Sequence, residues 1–103
     1  MSCKAVYTNT NDWGSGFSAN VLVTNTGAPW SNWTLTYSYA GSQTLQNGWN
    51  GTWSQSGKNV SVAAASWNAS VGTGGTVNPA ANFTYSGTNS PPTSFSVNGV
   101  KCS

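Results

Sequence analysis

The chain has 103 residues, enough for one small domain, and only Lys4, Lys58, Lys101 and Asp12 carry a formal charge. With no His, no Glu and a single Asp, it has no means for paired-carboxylate catalysis, a Ser–His–Asp or Cys–His centre, or a zinc or calcium site. A net charge of +2 cannot build a phosphate-reading surface, and no apolar run approaches the ~18–20 residues that cross a bilayer, so neither nucleic acid nor membrane is an expected partner.

Along the chain the pattern has period two, without a helical stretch. Ala5 and Tyr7 alternate after Cys3. Residues 17–23 put Phe17, Ala19, Val21 and Val23 on one face and Ser18, Asn20 and Leu22 on the other. Leu22 interrupts that polar face, so this strand is expected to be partly covered on both sides. Residues 33–39 place Trp33, Leu35, Tyr37 and Tyr39 together, opposite Thr34, Thr36 and Ser38. Val60, Val62 and Ala64 form another set, and Phe95 and Val97 a short last strand before the Asn98-Gly99 turn signal. Residues 76–87 are ambiguous: Phe83 and Tyr85 alternate, but Pro79 does not suit a central strand. Gly- and Pro-containing breakers separate these runs. Short strands at close spacing predict an all-β fold, an antiparallel β-sandwich of about eight or nine short strands. A single domain spans residues 3–102, and Met1 and Ser2 read as an expression start.

Ser, Thr, Asn and Gly make up just over half the chain, yet Trp occurs six times. That composition suits a neutral, hydroxyl-rich ligand. Trp33 shares a face with Leu35 and Tyr37 and reads as core; Trp53 reads as core or rim; Trp30, after Pro29, reads as a cap on the core edge. Trp13, Trp49 and Trp67 differ, because each is flanked by polar or tiny residues. Either each plugs an end of the sandwich, or the three form an exposed aromatic platform. An indole face can lie on the C–H face of a pyranose while neighbouring amides bond its hydroxyls. A charged rim would have to be desolvated on contact, so the scarcity of charge fits such a ligand.

Cys3 and Cys102 flank the two ends. They read as a disulfide tying the first strand to the last, with two unpaired core thiols as the alternative. A bridge implies an oxidising compartment and export. Five N-x-S/T sequons stand at Asn32, Asn50, Asn59, Asn68 and Asn82, but chance supplies several in so Asn-, Ser- and Thr-rich a chain, and none is expected to be used.

Taken in order, C-K-A-V-Y at Cys3, N-D-W-G-S-G-F-S-A-N-V at Asn11, W-T-L-T-Y-S-Y at Trp33, W-N-G-T-W-S-Q-S-G at Trp49, S-W-N-A-S-V at Ser66 and P-T-S-F-S-V-N-G-V-K-C at Pro92 carry a resemblance. The chain resembles bacterial family-2 carbohydrate-binding modules of the cellulose-binding "a" type, from Cys3 to Cys102. The resemblance implies a jelly-roll-like sandwich with a disulfide between the terminal strands. It implies three coplanar surface Trp, at Trp13, Trp49 and Trp67, that stack on crystalline cellulose and often on chitin. It implies polar partners at Asn11, Asn20, Asn47, Asn78 and Asn82. Gly16 falls where the xylan-binding subtype carries an arginine that turns one Trp upright, so a flat face and cellulose or chitin are expected over xylan.

The segment V-N-P-A-A-N departs from the family's F-G-F-like strand, which puts Asn78 and Asn82 in question. The expected role is a secreted, monomeric, non-catalytic anchor, without cofactor or metal, for an attached glycoside-degrading enzyme. The alternative is an adhesive sandwich whose Trp patch meets another protein.

Overall fold

Alternation builds ten strands among residues 3–102, which are the residues described by the computed structural model of the chain. They are β1 (Cys3–Asp12), β2 (Gly16–Asn25), β3 (Thr34–Ser38), β4 (Thr44–Trp49), β5 (Thr52–Ser56), β6 (Asn59–Ala63), β7 (Thr76–Val77), β8 (Ala80–Thr84), β9 (Phe95–Val97) and β10 (Val100–Lys101). One sheet runs β1-β2-β8-β4, with β7 also paired to β2; the other runs β10-β9-β3-β6-β5, and every pairing is antiparallel. The chain passes from one sheet to the other between β2 and β3, β3 and β4, β4 and β5, β6 and β7, and β8 and β9. The total exceeds the expected eight or nine because β7 and β10 are two-residue pieces.

Pro79 explains the first of these. It has no N–H for the ladder, so pairing with β2 stops after Val77 and resumes at Ala80. The Pro79 carbonyl still accepts from the Val21 N–H at 2.9 Å. The ambiguous segment is thus one strand line interrupted at Asn78-Pro79.

The inward faces meet in a core rich in rings. Phe17 stacks on Phe83 at 5.3 Å between centroids, and Tyr39 meets Phe83 edge-on at 5.2 Å. Trp33 is buried, and its indole N–H donates to the Asn68 carbonyl at 2.9 Å. Tyr7 and Tyr37 each place a hydroxyl 3.2 Å from that of Tyr39. Burial pushes the phenols of Tyr37 and Tyr39 far above the ordinary tyrosine range. Asn25 is fully buried and satisfied: its amide donates to the Ala28 and Val71 carbonyls and accepts from the Gly27 N–H. Cys3 and Cys102 are joined by a disulfide, so β1 at the edge of one sheet is tied to the chain just beyond β10 in the other.

Candidate ligand-binding face

The outer surface of the β1-β2-β8-β4 sheet carries most of the candidate residues. Alternation points Phe17, Ala19, Val21 and Val23 inward, which leaves Ser18, Asn20 and Leu22 outward. The register then sets Asn11, Ser18, Asn82 and Asn47 in one row across all four strands. Ser18 Oγ donates to Asn82 Oδ1, and Asn82 Nδ2 donates to Asn47 Oδ1 at 3.2 Å. The next row is Thr8, Asn20, Ala80 and Trp49.

Two irregularities make these rows. In β1 the register shifts between Asn9 and Asn11; in β4 it shifts between Leu45 and Asn47. Each extra residue reverses the facing of the side chains beyond it. Leu45 therefore pairs with inward Phe83, while Asn47 pairs with outward Asn82, although the two are of equal parity in sequence.

Each exposed indole has its own mount. Trp13 follows β1 in a tight turn, where its backbone N–H donates to the Gly16 carbonyl at 3.0 Å. Asp12 holds this turn: its carboxylate accepts from the Gly14 N–H (2.9 Å), the Tyr85 hydroxyl (2.8 Å) and Asn89 Nδ2 (3.2 Å). The Gly14 N–H and then the Tyr85 hydroxyl lower the Asp12 pKa, and the same bond raises that of Tyr85. The Trp13 ring lies against Gly16, since a Cβ there would stand 2.8 Å from Trp13 Cζ2.

Trp49 ends β4. Beneath it the Trp53 indole N–H donates to the Trp49 carbonyl at 3.1 Å, and the Trp53 ring occupies the space a side chain at Gly48 would need. Trp67 sits in the turn of residues 66–68. Asn68 fixes that turn by accepting from the Ala65 N–H and donating to the Asn50 carbonyl; Asn50 in turn donates to the Asn78 carbonyl. The residues immediately after Trp67 and Trp49 are thereby bonded to each other.

The exposures separate two classes of tryptophan. Trp13, Trp49 and Trp67 are 52%, 43% and 71% exposed, whereas Trp30 and Trp33 are buried and Trp53 packs half-buried against the core. Trp30 lies on an isolated bridge to Val71. Of the candidate amides, Asn11, Asn47 and Asn82 share one row and Asn20 the next. Asn78 is not in either row: it stands exposed at the Pro79 break. Leu22 corrects the sequence expectation, because it is 41% exposed rather than covered; among the described residues, nothing packs over the outer side of β2 at that point. Sequence reading also missed Ser18, which lies between Asn11 and Asn82 in the row and bonds to Asn82, and Asp12, whose only signal was being the sole acid. A concavity of about 650 Å3 lies on the other sheet's outer face among Thr36, Ser38, Ser54, Ser61 and Ser96, away from the exposed indoles.

Known proteins resemble the chain in sequence and fold. An endoglucanase, CelA of Streptomyces lividans, is 44% identical over 102 residues, covering 98% of this chain and 22% of that protein. The chain thus spans about a fifth of that relative's length. Among solved structures, the chitin-binding domain of Chi18aC from Streptomyces coelicolor superposes with a TM-score of 0.79 at 28% identity, covering 98% of this chain and 94% of that one. The cellulose-binding family 2 domain of ScLPMO10C gives 0.70 at 33% identity, over 87% and 88% of the two chains. The model of the cellulose binding domain family matches residues 3–102, and the chain belongs to that family.

Proposed function

We propose that this domain binds the flat face of an insoluble crystalline polysaccharide, cellulose or chitin, and does no chemistry on it. Trp13, Trp49 and Trp67 stack on pyranose rings, while Asn11, Asn20, Asn47 and Asn82 bond equatorial hydroxyls and Asn78 contributes from the rim. The observation that carries this reading is the sorting of six indoles: three are turned out to water, with Trp49 in register on a sheet face whose central rows hold only neutral side chains. Gly16 leaves room for Trp13 to lie along the sheet rather than stand up. Asn82 and Asn47 are held by bonds made within the protein, so contact with a rigid crystal costs little ordering of those two amides.

In a longer chain such a domain anchors an attached glycoside-degrading enzyme by raising its local concentration at the polymer. The disulfide and the relationship to an endoglucanase fit a protein working outside the cell. The test is depletion of the folded, oxidised protein from solution by crystalline cellulose, chitin and insoluble xylan. Cellulose or chitin should remove it and xylan should not; no depletion by any of them overturns the reading.

A further inference from the structure

The outer face of β1 and β2 continues beyond the row of Thr8, Asn20, Ala80 and Trp49. One step further along, Val6 and Leu22 stand directly opposite each other in register. Both are exposed, at 44% and 41%. A single exposed apolar side chain needs no explanation. Here two are paired across adjacent strands, on the same face as the amide rows and continuous with them.

Their position limits what they can touch. Neighbouring strands lie ~4.8 Å apart, so Leu22 on β2 sits two strands, roughly 10 Å, to the side of β4 and Trp49. A sugar ring stacked on Trp49 does not cover this pair, and a chain lying along the rows of Asn11 and Asn20 presents its edge to it one step further on. On cellulose the edge groups are hydroxyls and hydroxymethyls, which gain nothing from an apolar contact. On a β-1,4-linked N-acetylglucosamine polymer the edge carries acetamido groups, each ending in a methyl. Thr8 and Asn20, one step back on the same two strands, offer a donor and an acceptor for the amide. One step the other way, Lys4 faces Thr24, placing a cation where a free amine would be repelled.

We propose that Val6 and Leu22 form an apolar shelf beside the Trp platform that takes the acetamido methyls of chitin, making them specificity-determining residues of this face. This rests on the reading of the Trp face as polysaccharide-binding. Burying a methyl stabilises by about the amount that multiplies affinity roughly fourfold, so one or two methyls give about 4- to 15-fold.

The test compares the wild type, the double variant Val6→Thr/Leu22→Thr and Trp49→Ala in depletion isotherms on crystalline chitin and crystalline cellulose. Both substituted positions are exposed and threonine suits a strand, and an unchanged unfolding transition verifies the fold. The double variant should lose about 4- to 15-fold on chitin and stay within about twofold on cellulose, while Trp49→Ala weakens both. Chitin affinity unchanged in the double variant, or an equal loss on the two polymers, overturns the shelf. If Trp49→Ala changes neither polymer, the Trp face itself is wrongly assigned and the shelf falls with it, a result distinct from failure of the double variant alone.

Discussion

Gly16→Ala is the smallest change that tests how the platform is built. A methyl at this position stands 2.8 and 2.9 Å from Trp13 Cζ2 and Cε2, and 2.7 Å from the Phe83 carbonyl oxygen. That carbonyl belongs to β8, a central strand paired on both sides, so the indole has to yield. Trp13 is 52% exposed, which leaves about half an indole side chain, on the order of 100 Å2, resting on the protein. At ~25 cal/mol/Å2 that contact contributes at most about 2.5 kcal/mol. Overpacking of this kind costs about 1–3 kcal/mol, and each kcal/mol lowers the Tm of a domain this size by about 4–8 °C.

Adsorption should fall as well, because on the proposed reading a displaced Trp13 ring no longer meets the polymer face. An aromatic stacking contact is worth about 1–3 kcal/mol where it has been measured on nucleobases, or about 5- to 150-fold in affinity. The assay is a thermal unfolding curve together with an adsorption isotherm on crystalline cellulose, with Trp13→Ala as the reference. Gly16→Ala should approach the adsorption of Trp13→Ala. An unchanged Tm and full adsorption, beside a Trp13→Ala that binds poorly, would refute the claim that Gly16 seats the ring.

Two other perturbations bear on the mounts and the frame. Asp12 is held below its ordinary range by the Gly14 N–H and the Tyr85 hydroxyl. Its stabilising contribution is therefore complete above the unfolded value near about 4 and is lost as pH falls through the folded one. Calorimetry should find a wild-type Tm that is level from about pH 5 to 8 and drops on acidification, whereas Asp12→Asn should start lower and show a shallower acid decline; parallel curves would exclude Asp12 as the acid-sensitive group. The disulfide closes nearly the whole chain, with a sequence separation of 99, so Cys3→Ser/Cys102→Ser should lose about 4–5 kcal/mol in the chain-entropy model. Urea unfolding measures this directly, and a loss below about 1 kcal/mol would mean that the ends are held together by other contacts.

Much of the sandwich was legible because a strand with one buried face must alternate. β2, β3, β6 and β9 each announce themselves this way, and Trp33 was placed correctly by its parity with Leu35 and Tyr37. β4 was not legible. Its shift between Leu45 and Asn47 breaks parity at the point where the strand turns from serving the core to presenting Asn47 and Trp49. Parity also fails at the end of β1, where the shift before Asn11 aims that amide outward. Leu22 misled for a different reason: an apolar residue on a polar face reads as a covered residue unless it is known that no other element crosses there. Trp13, Trp49 and Trp67 stood out from their polar neighbours, but only hydrogen bonds distant in sequence, such as Tyr85 to Asp12 and Asn68 to Asn50, fix where the turns holding Trp13 and Trp67 sit.

Those long-range bonds explain how a small domain keeps large rings in water without losing their orientation. An exposed indole on a free loop would surrender rotamer and backbone freedom on binding, and that cost subtracts directly from affinity. Here the cost is met on folding. Trp13 is set by the Asp12 turn and by Gly16 beneath it, Trp49 by a strand whose backbone Trp53 supports from below, and Trp67 by an Asn68 amide that reaches the neighbouring turn. The devices lie at the face, while the stability they draw on comes from the ring-packed core and the disulfide. Face and core are thereby separable. On the proposed reading, substitutions at the exposed rings should change what the surface holds without unpacking the sandwich, and the supports, Gly16, Trp53, Asp12 and Asn68, are where stability and binding should change together.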